Sequence, residues 1–406
     1  MRRAGCTAGF ICALAGAASL ILVTAAQGAP PPDPYCTGSY GGATPRAGVA
    51  LRFGIDAGLA GSTGSVQLPS APDDPAKDLA AVRKLRPGGK VLVVRLNRLF
   101  WSDGQSGIDA FQHRVARYTR AGFEVEIQVR YHPPPGQVGN IAAWAAYVRH
   151  VVDSFGPNPW VVDMTITNEV NVTFSPNTSD GYYARAEDAL VAGIEAAHEE
   201  ALARGFHQLR FGFTYAYRFS PQGDASFFTY LGQHGGAAFV RALGFVGVDF
   251  YPGTIHPSVM APTDSYRAEL AQAAGVIRDC LTPKAGIPRS VPLWFTEIGV
   301  PSTGVLSEAA QATGLAQLTD AACDYAHAFN ITDFRWFNLR DSSSSGPQTV
   351  SPLSFSTFGL LRDDYAAKPS FAAYRRAIAA CGAPSRPARR VDRGARRRGH
   401  SPPFTG

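Results

Sequence analysis

The chain has 406 residues, 45% of them hydrophobic and 17% charged. That balance excludes a chain that is disordered throughout and allows one large domain or two ordinary ones. The net charge is +6, but Arg2 and Arg3 supply two of it. The last 25 residues, with seven arginines against Asp392, supply six, so the rest carries −2 and gives no argument for nucleic-acid binding by the domain.

Residues 1–28 open with Arg2 and Arg3, continue with an apolar stretch from Gly9 to Val23 and end in small residues. That is the layout of a signal peptide, and it predicts a secreted, extracellular or cell-wall-associated protein. No later stretch has 18 uninterrupted apolar residues, so no transmembrane helix is predicted. Residues 29–48 are rich in Pro and Gly and predict an extended lead-in. Residues 383–406 have the composition of a disordered, Arg-rich tail, with electrostatic contact to the cell envelope as one use open to it.

Between these ends, in 49–382, short apolar runs alternate with helical patterns. The predicted strands are 53–58, 91–99, 125–131, 164–172, 209–217, 245–251, 293–300 and 334–339. The predicted helices are 74–85, 108–121, 141–155, 182–204, 225–242, 266–280, 308–329 and 370–380. Eight strand–helix units predict an α/β fold, a single (β/α)8 TIM barrel. The alternative, a doubly wound open sheet, would carry a Gly-rich phosphate loop after its first strand, and FGIDAG fits that poorly.

In barrel enzymes the reacting groups sit at the C-terminal ends of strands. Strand two ends in VVRLN (Arg95, Asn97), strand three in QVRYHP (Tyr131, His132) and strand four in TITNEVN (Asn168, Glu169). Strand six ends in VDFYPG (Asp249, Tyr251), strand seven in WFTEIGVPS (Glu297) and strand eight carries RWFNLRD (Trp336, Asn338). Glu169 and Glu297 end strands on opposite sides of the mouth. A charge there is costly unless partnered or functional. Paired carboxylates flanking a glycosidic bond are the machinery of glycosidases.

The arrangement resembles clan A of the (β/α)8 retaining glycoside hydrolases. In that clan an Asn-Glu pair ends strand four and a second Glu ends strand seven, here Asn168-Glu169 and, 128 residues on, Glu297. Arg95, His132, Tyr251 and Trp336 match the clan's usual Arg, His, Tyr and Trp places. NEV, YP and TEIGVPS are similar to family 17, from which the chain departs at Thr167, Ile298 and Val300; families 5 and 39 also fit, and the family stays open. The resemblance implies Glu169 as general acid/base and Glu297 as nucleophile, with carboxyl groups roughly 5–5.5 Å apart. It implies substrate-binding roles for Arg95, His132, Asn168, Tyr251, Trp336 and Asn338. Trp336 would be a stacking floor for the sugar, Asn168 a partner of its 2-OH. Asp56, Asp341, Tyr215, Tyr217, Phe100 and Trp101 are further, weaker candidates for substrate contact.

Other chemistries fail on missing residues. None of the five lysines (77, 84, 90, 284, 368) ends a predicted strand, which removes a Schiff-base aldolase. The first strand lacks the HxH of metal-dependent barrel hydrolases, and no GxSxG follows a strand. The expectation is a monomeric glycosidase acting on a β-linked polysaccharide, oligosaccharide or cell-envelope glycan, with no metal, cofactor or nucleic-acid partner. A transglycosylase using the same residues and a non-catalytic sugar-binding barrel are the rivals. Of six cysteines, Cys6 and Cys12 fall in the leader, and Cys36, Cys280, Cys323 and Cys381 remain for disulfides. Their positions favour Cys36–Cys381 and Cys280–Cys323. Asn171, Asn177 and Asn330 stand in glycosylation sequons.

Overall fold

The computed structural model describes residues 33–46, 48–60, 70–176, 178–217, 220–254, 265–302, 306–344 and 355–385. The leader, most of the tail and Asn177 lie outside the described residues.

Eight parallel strands close into a barrel in sequence order: β1 Arg52–Asp56, β2 Val93–Phe100, β3 Glu124–Arg130, β4 Val161–Ile166, β5 Arg210–Tyr217, β6 Leu243–Phe250, β7 Leu293–Ile298 and β8 Ile331–Trp336. The β1–β8 pairing, Phe53 opposite Phe334, closes the ring. The surrounding helices include α1 Pro75–Leu85, α2 Gly104–Thr119, α3 Ile141–Phe155, α4 Ala186–Arg204, α5 Pro221–His234, α6 Gly236–Ala242 and α7 Tyr266–Val276. A π turn, Ile277–Leu281, joins α7 to the short α8, Thr282–Lys284; α9 Glu308–Phe329 and α10 Pro369–Cys381 complete the set. Start signals are local: Asp74 accepts from the Ala76 and Lys77 N–H groups ahead of Pro75 in α1, and Ser220, Ser265 and Ser307 cap α5, α7 and α9. The fold is thus the expected (β/α)8 barrel. One predicted helix, 225–242, is divided at Gly236, whose φ of 63° an L side chain resists.

Between barrel and helices the layer is apolar, with Phe53, Phe334 and Tyr374 in mutual ring contact. The barrel interior is charged. At its N-terminal end Arg52 donates to Glu124, Asp163 and Asp333 at 2.7, 3.1 and 2.9 Å. Arg335 lies above it, bonded to Asp333 at 2.7 Å and Glu126 at 3.0 Å. Glu126 then accepts from Arg95 at 3.0 Å, nearer the mouth. The Trp294 ring lies under Arg52, Arg210 and Arg335 and stacks on Phe245. Arg335 can cross the lumen because β1 carries Gly54 there: a Cβ at that position would meet the Arg335 Cδ at 2.2 Å.

The disulfides correct the expected pairing. They are Cys36–Cys280 and Cys323–Cys381, with Cα separations of 5.7 and 6.4 Å. The reason is the path of the N-terminal segment. The Tyr40 and Gly41 N–H groups donate to Gln272 of α7, which sets Cys36 beside the π turn that follows that helix. The α9 and α10 helices pack together, which brings Cys381 to Cys323.

Two measurements check these assignments. Non-reducing peptide mapping should yield Cys36–Cys280 and Cys323–Cys381 peptides and no Cys36–Cys381 species. Arg335→Met should lower unfolding free energy by about 3–5 kcal/mol in denaturant titrations, because it strands buried carboxylates without a cation. A loss below about 1 kcal/mol, the range of an exposed ion pair, would refute that account of the interior.

Candidate active site

At the C-terminal end of the barrel the chain departs from regular strand at three places. In β2 the register with β3 shifts between Leu96 and Leu99, and Arg98 takes a φ of 71°. In β7 the register with β6 shifts so that Phe295 faces Val248 and Glu297 faces Asp249. This bulge leaves both Thr296 and Glu297 facing the lumen, where a regular strand would point one of them outward. In β4 the strand stops at Ile166, earlier than expected. Thr167 (φ 68°) and Glu169 (φ 46°) then adopt left-handed backbone conformations, which cost about 1–3 kcal/mol each for non-glycine residues.

These distortions place the carboxyl of Glu297 among three donors. Arg95 Nη1 and Asn97 Nδ2, the latter at 3.0 Å, donate to Oε1. Tyr251 Oη donates to Oε2 at 2.6 Å. Arg95 is fully buried and is held from behind by Glu126. The surrounding carboxylates Asp56, Glu297, Glu126 and Asp249 raise its pKa well above the ordinary value against the opposing effect of burial. The charge on Arg95 is therefore permanent.

Glu169 has a different environment. Its N–H donates to the Thr214 carbonyl at 3.1 Å, and its Oε2 accepts from Ser179 Oγ at 2.7 Å. No arginine or lysine pairs with it among the described residues. Burial, and then the negative charge of Glu297, push its pKa up to about 7. The negative charge of Glu297 thus acts on Glu169 across the mouth and favours its protonated form.

Asn168 is fixed on both sides. Its Oδ1 accepts from Gln128 and from Thr214 Oγ1, and its Nδ2 donates to the Thr178 carbonyl at 2.8 Å, leaving one amide hydrogen. His132 is half-buried and its Nδ1 lies 3.0 Å from Ser102 Oγ. Its ring contacts Phe100 and Tyr183, and Tyr183 in turn meets the exposed Tyr182. These aromatics form one cluster at the ends of β2 and β3 and the loop after β4.

Other expected contacts fall elsewhere. Trp336 is fully buried in register with Ile55 and Ile298, on the face of β8 toward α10, where it meets Tyr374; it cannot floor the mouth. Phe337, the next residue, packs edge-on against Tyr251 and Phe358. Tyr215 and Tyr217 are buried against Phe228 and Phe250, and Trp101 against Tyr131 and Trp144. Asn338 is buried, and its side-chain oxygen has no hydrogen-bond partner among the described residues. Asp341 is bound to Lys368 at 2.7 Å and ties down the loop after β8. Asp56 is buried 3.6 Å from Arg95, and burial raises its pKa well above the carboxylate range. The Asn171 amide is engaged at both ends by the Ala216 backbone, which disfavours it as a glycan acceptor.

Sequence reasoning missed the supports. Asp180 accepts from Arg130 Nε and from the Tyr131 and Asn168 N–H groups, all within 2.8–2.9 Å, and so joins the ends of β3 and β4. Glu126 and Ser179 were also missed, and Asp249 was read as a strand end without a role. Asp249 faces both glutamates; burial and then Glu297 and Glu169 raise its pKa, and Thr296 donates to it at 2.8 Å.

No protein-family model matches the chain, and neither does any curated protein sequence. Among solved structures, it is similar to a GH5_18 protein from Streptomyces cattleya in complex with GlcNAc, at 16% identity and TM-score 0.58, covering 82% of this chain and 80% of that one. It is similar to a family 39 glycoside hydrolase from Bacteroides cellulosilyticus WH2, at 14% identity and TM-score 0.52, covering 81% and 63%. A family 1 β-glucosidase from Thermotoga maritima matches at 13% identity and TM-score 0.54, covering 84% and 99%. At these identities the likeness is one of fold.

The raised pKa of Glu169 has a consequence for stability. The folded state holds a proton that the unfolded chain releases near the ordinary glutamate value of 4.5, so stability is lost as pH rises from there through about 7. Glu169→Gln should therefore unfold like the wild type at pH 4 but be more stable at pH 8, by up to about 3 kcal/mol. Thermal melts of both proteins at the two pH values test this; an equal difference at both would overturn it.

Proposed function

We propose that the protein is a secreted retaining glycoside hydrolase acting on a β-linked glycan outside the cytoplasm, with Glu297 as nucleophile and Glu169 as acid/base. The observation that carries the reading is the division of labour between two buried carboxyls on facing strands. One is held as an acceptor by Arg95, Asn97 and Tyr251, and the other retains its proton near neutral pH.

The chemistry follows from that division. Glu297 Oε attacks the anomeric carbon as the bond to the leaving oxygen breaks. Glu169 gives its proton to that oxygen, and a glycosyl ester on Glu297 results. Water then attacks the same carbon, Glu169 takes the water's proton, and the ester bond breaks to restore both groups. Tyr251 and Arg95 hold the nucleophile's oxygens in place, which limits the reorganisation each step requires. The free amide hydrogen of Asn168 suits the sugar 2-OH. His132, Tyr183 and Tyr182 offer aromatic faces to the leaving-group side. The apolar cluster of Tyr251, Phe337 and Phe358 takes the place expected of Trp336.

The neighbours support sugars as ligands: one GH5_18 protein was solved with GlcNAc and another, from Bifidobacterium longum, with Manb1-4GlcNAc. Two disulfides suit an oxidising compartment and agree with the predicted leader. No helix of the described residues is long and apolar enough to cross a membrane.

The test pairs wild type with Glu297→Gly. The wild type should release sugar from one of a panel of β-glucans, xylan, mannan, galactan and arabinan with retained anomeric configuration. The variant should be inactive and, with azide, give the inverted glycosyl azide. The wild-type kcat/KM should fall as pH rises through about 7, because Glu169 must be protonated for the first step. An inverted product from the wild type would exclude the double-displacement route.

A further inference from the structure

The face of the barrel opposite the mouth carries the N-terminal strand ends and the turns that lead into them. On it, Arg83 and Arg86 of the last turn of α1 and its cap, and Lys90 before β2, line a cavity of about 380 Å³. That volume lies within the range of small-ligand sites, roughly 300–1,000 Å³. Trp160, at the entry to β4, and Ser385, after α10, line it as well.

The cations there are not neutralised. Arg86 donates to the Gly122 carbonyl at 2.6 Å and lies 4.0 Å over the Phe123 ring, and Lys90 donates to the Gly382 carbonyl at 2.7 Å. Neither these two nor Arg83 is paired with a carboxylate among the described residues. The acid in the lining, Glu124, is bound to Arg52 at 2.7 Å. Burial, and then the neighbouring Arg83, lower the Arg86 pKa.

Trp160 differs from the other four tryptophans, each less than a tenth exposed, in being 37% exposed. Its backbone is anchored: the main-chain N–H donates to Asn158 Oδ1 at 3.0 Å, and the carbonyl accepts from the Val125 N–H at 2.8 Å. An indole beside three cations offers an apolar face for a sugar ring and donors for its acidic substituent. The chain leaves this place toward its C terminus. The Ser385 N–H is bonded to the Gly89 carbonyl at 2.9 Å, and the 21 residues that follow contain seven arginines and one acid.

We propose that this pocket is a second glycan site, separate from the mouth, that binds an acidic polysaccharide: a uronate ring packs on Trp160 and its carboxylate is held by Arg83, Arg86 and Lys90. The polymer holds the enzyme by the barrel's closed end, and the mouth faces away from it. The site does not depend on the catalytic reading, since binding is measured without turnover.

Affinity electrophoresis of the full chain through gels containing polygalacturonate tests it, with dextran as the neutral control. The wild type should be retarded by polygalacturonate alone, and less so as salt rises. Trp160→Ala and Arg83→Glu should each weaken retardation at least about fivefold while leaving the melting temperature within a few degrees. Equal retardation by dextran, or none by either polymer, would overturn the proposal. So would retardation that survives both pocket variants but vanishes when Arg396, Arg397 and Arg398 are changed to serine, since the tail alone would then bind. Tighter retention by oligo-dT than by polygalacturonate would also overturn it, in favour of a nucleic acid.

Discussion

The sharing of Arg95 between Glu126 and Glu297 is the interaction on which the site depends. A fully buried guanidinium is tolerable only when its donors meet carboxylates, and a carboxylate at the same depth is tolerable only when it meets a cation. Glu126 completes the arrangement from below. One of its oxygens faces Arg95 and the other Arg335, which continues through Asp333 to Arg52. A chain of alternating charges therefore runs from the closed end of the barrel to the proposed nucleophile, where a barrel of this class ordinarily holds layers of branched apolar side chains. It fixes Glu297 by a series of contacts that no single loop movement can relax.

The same interior accounts for the proton on the second glutamate. Carboxyl groups outnumber guanidinium groups along the lumen, so the lumen cannot hold all of them ionised. Those with arginine partners keep the charge, as Asp333 does between Arg52 and Arg335, which draw its pKa below the ordinary value despite burial. Burial pushes up Asp56, Asp249 and Glu169, none of which accepts a hydrogen bond from an arginine among the described residues, and it raises Asp163 to about 7 even though Arg52 and Arg210 pair with it. The placement of one arginine thus distinguishes two glutamates of identical chemistry: Glu297 accepts from Arg95, and no cation pairs with Glu169 among the described residues.

Much of this was legible in the sequence. Eight apolar runs with helical patterns between them were sufficient for the barrel. The strand ends yielded Glu169, Glu297, Arg95 and Tyr251, because a charged or phenolic group at the end of an apolar strand is costly to bury unless it is partnered or functional. The supports were not legible for a physical reason. Asp180 and Ser179 come from a loop with no periodicity, and their role depends on the left-handed turn at Thr167 and Glu169 that folds this loop back over β4. A sign of that turn was present: the similar family 17 pattern has glycine where this chain has Thr167, a position whose φ of 68° favours glycine. The disulfide pairing was not legible either. Cysteines that flank the domain suggest each other as partners, whereas the path of residues 33–46 across α7 decides the matter.

Trp336 shows where pattern matching needed more physics. In β8 the alternation ITDFRW sends Asp333 and Arg335 into the lumen, where both are ion-paired, and therefore sends Phe334 and Trp336 outward to Tyr374. A residue matched by type to a family position was thus on the wrong face of its strand, and the charges beside it said so. The aromatic neighbour of the mouth is Phe337, one residue later. There, Phe337 and Phe358 meet the ring of Tyr251, whose hydroxyl reaches Glu297. The aromatic packing at the end of β8 and the position of this donor therefore belong to one cluster, and a change that reshapes Phe337 or Phe358 also moves a hydrogen bond to Glu297.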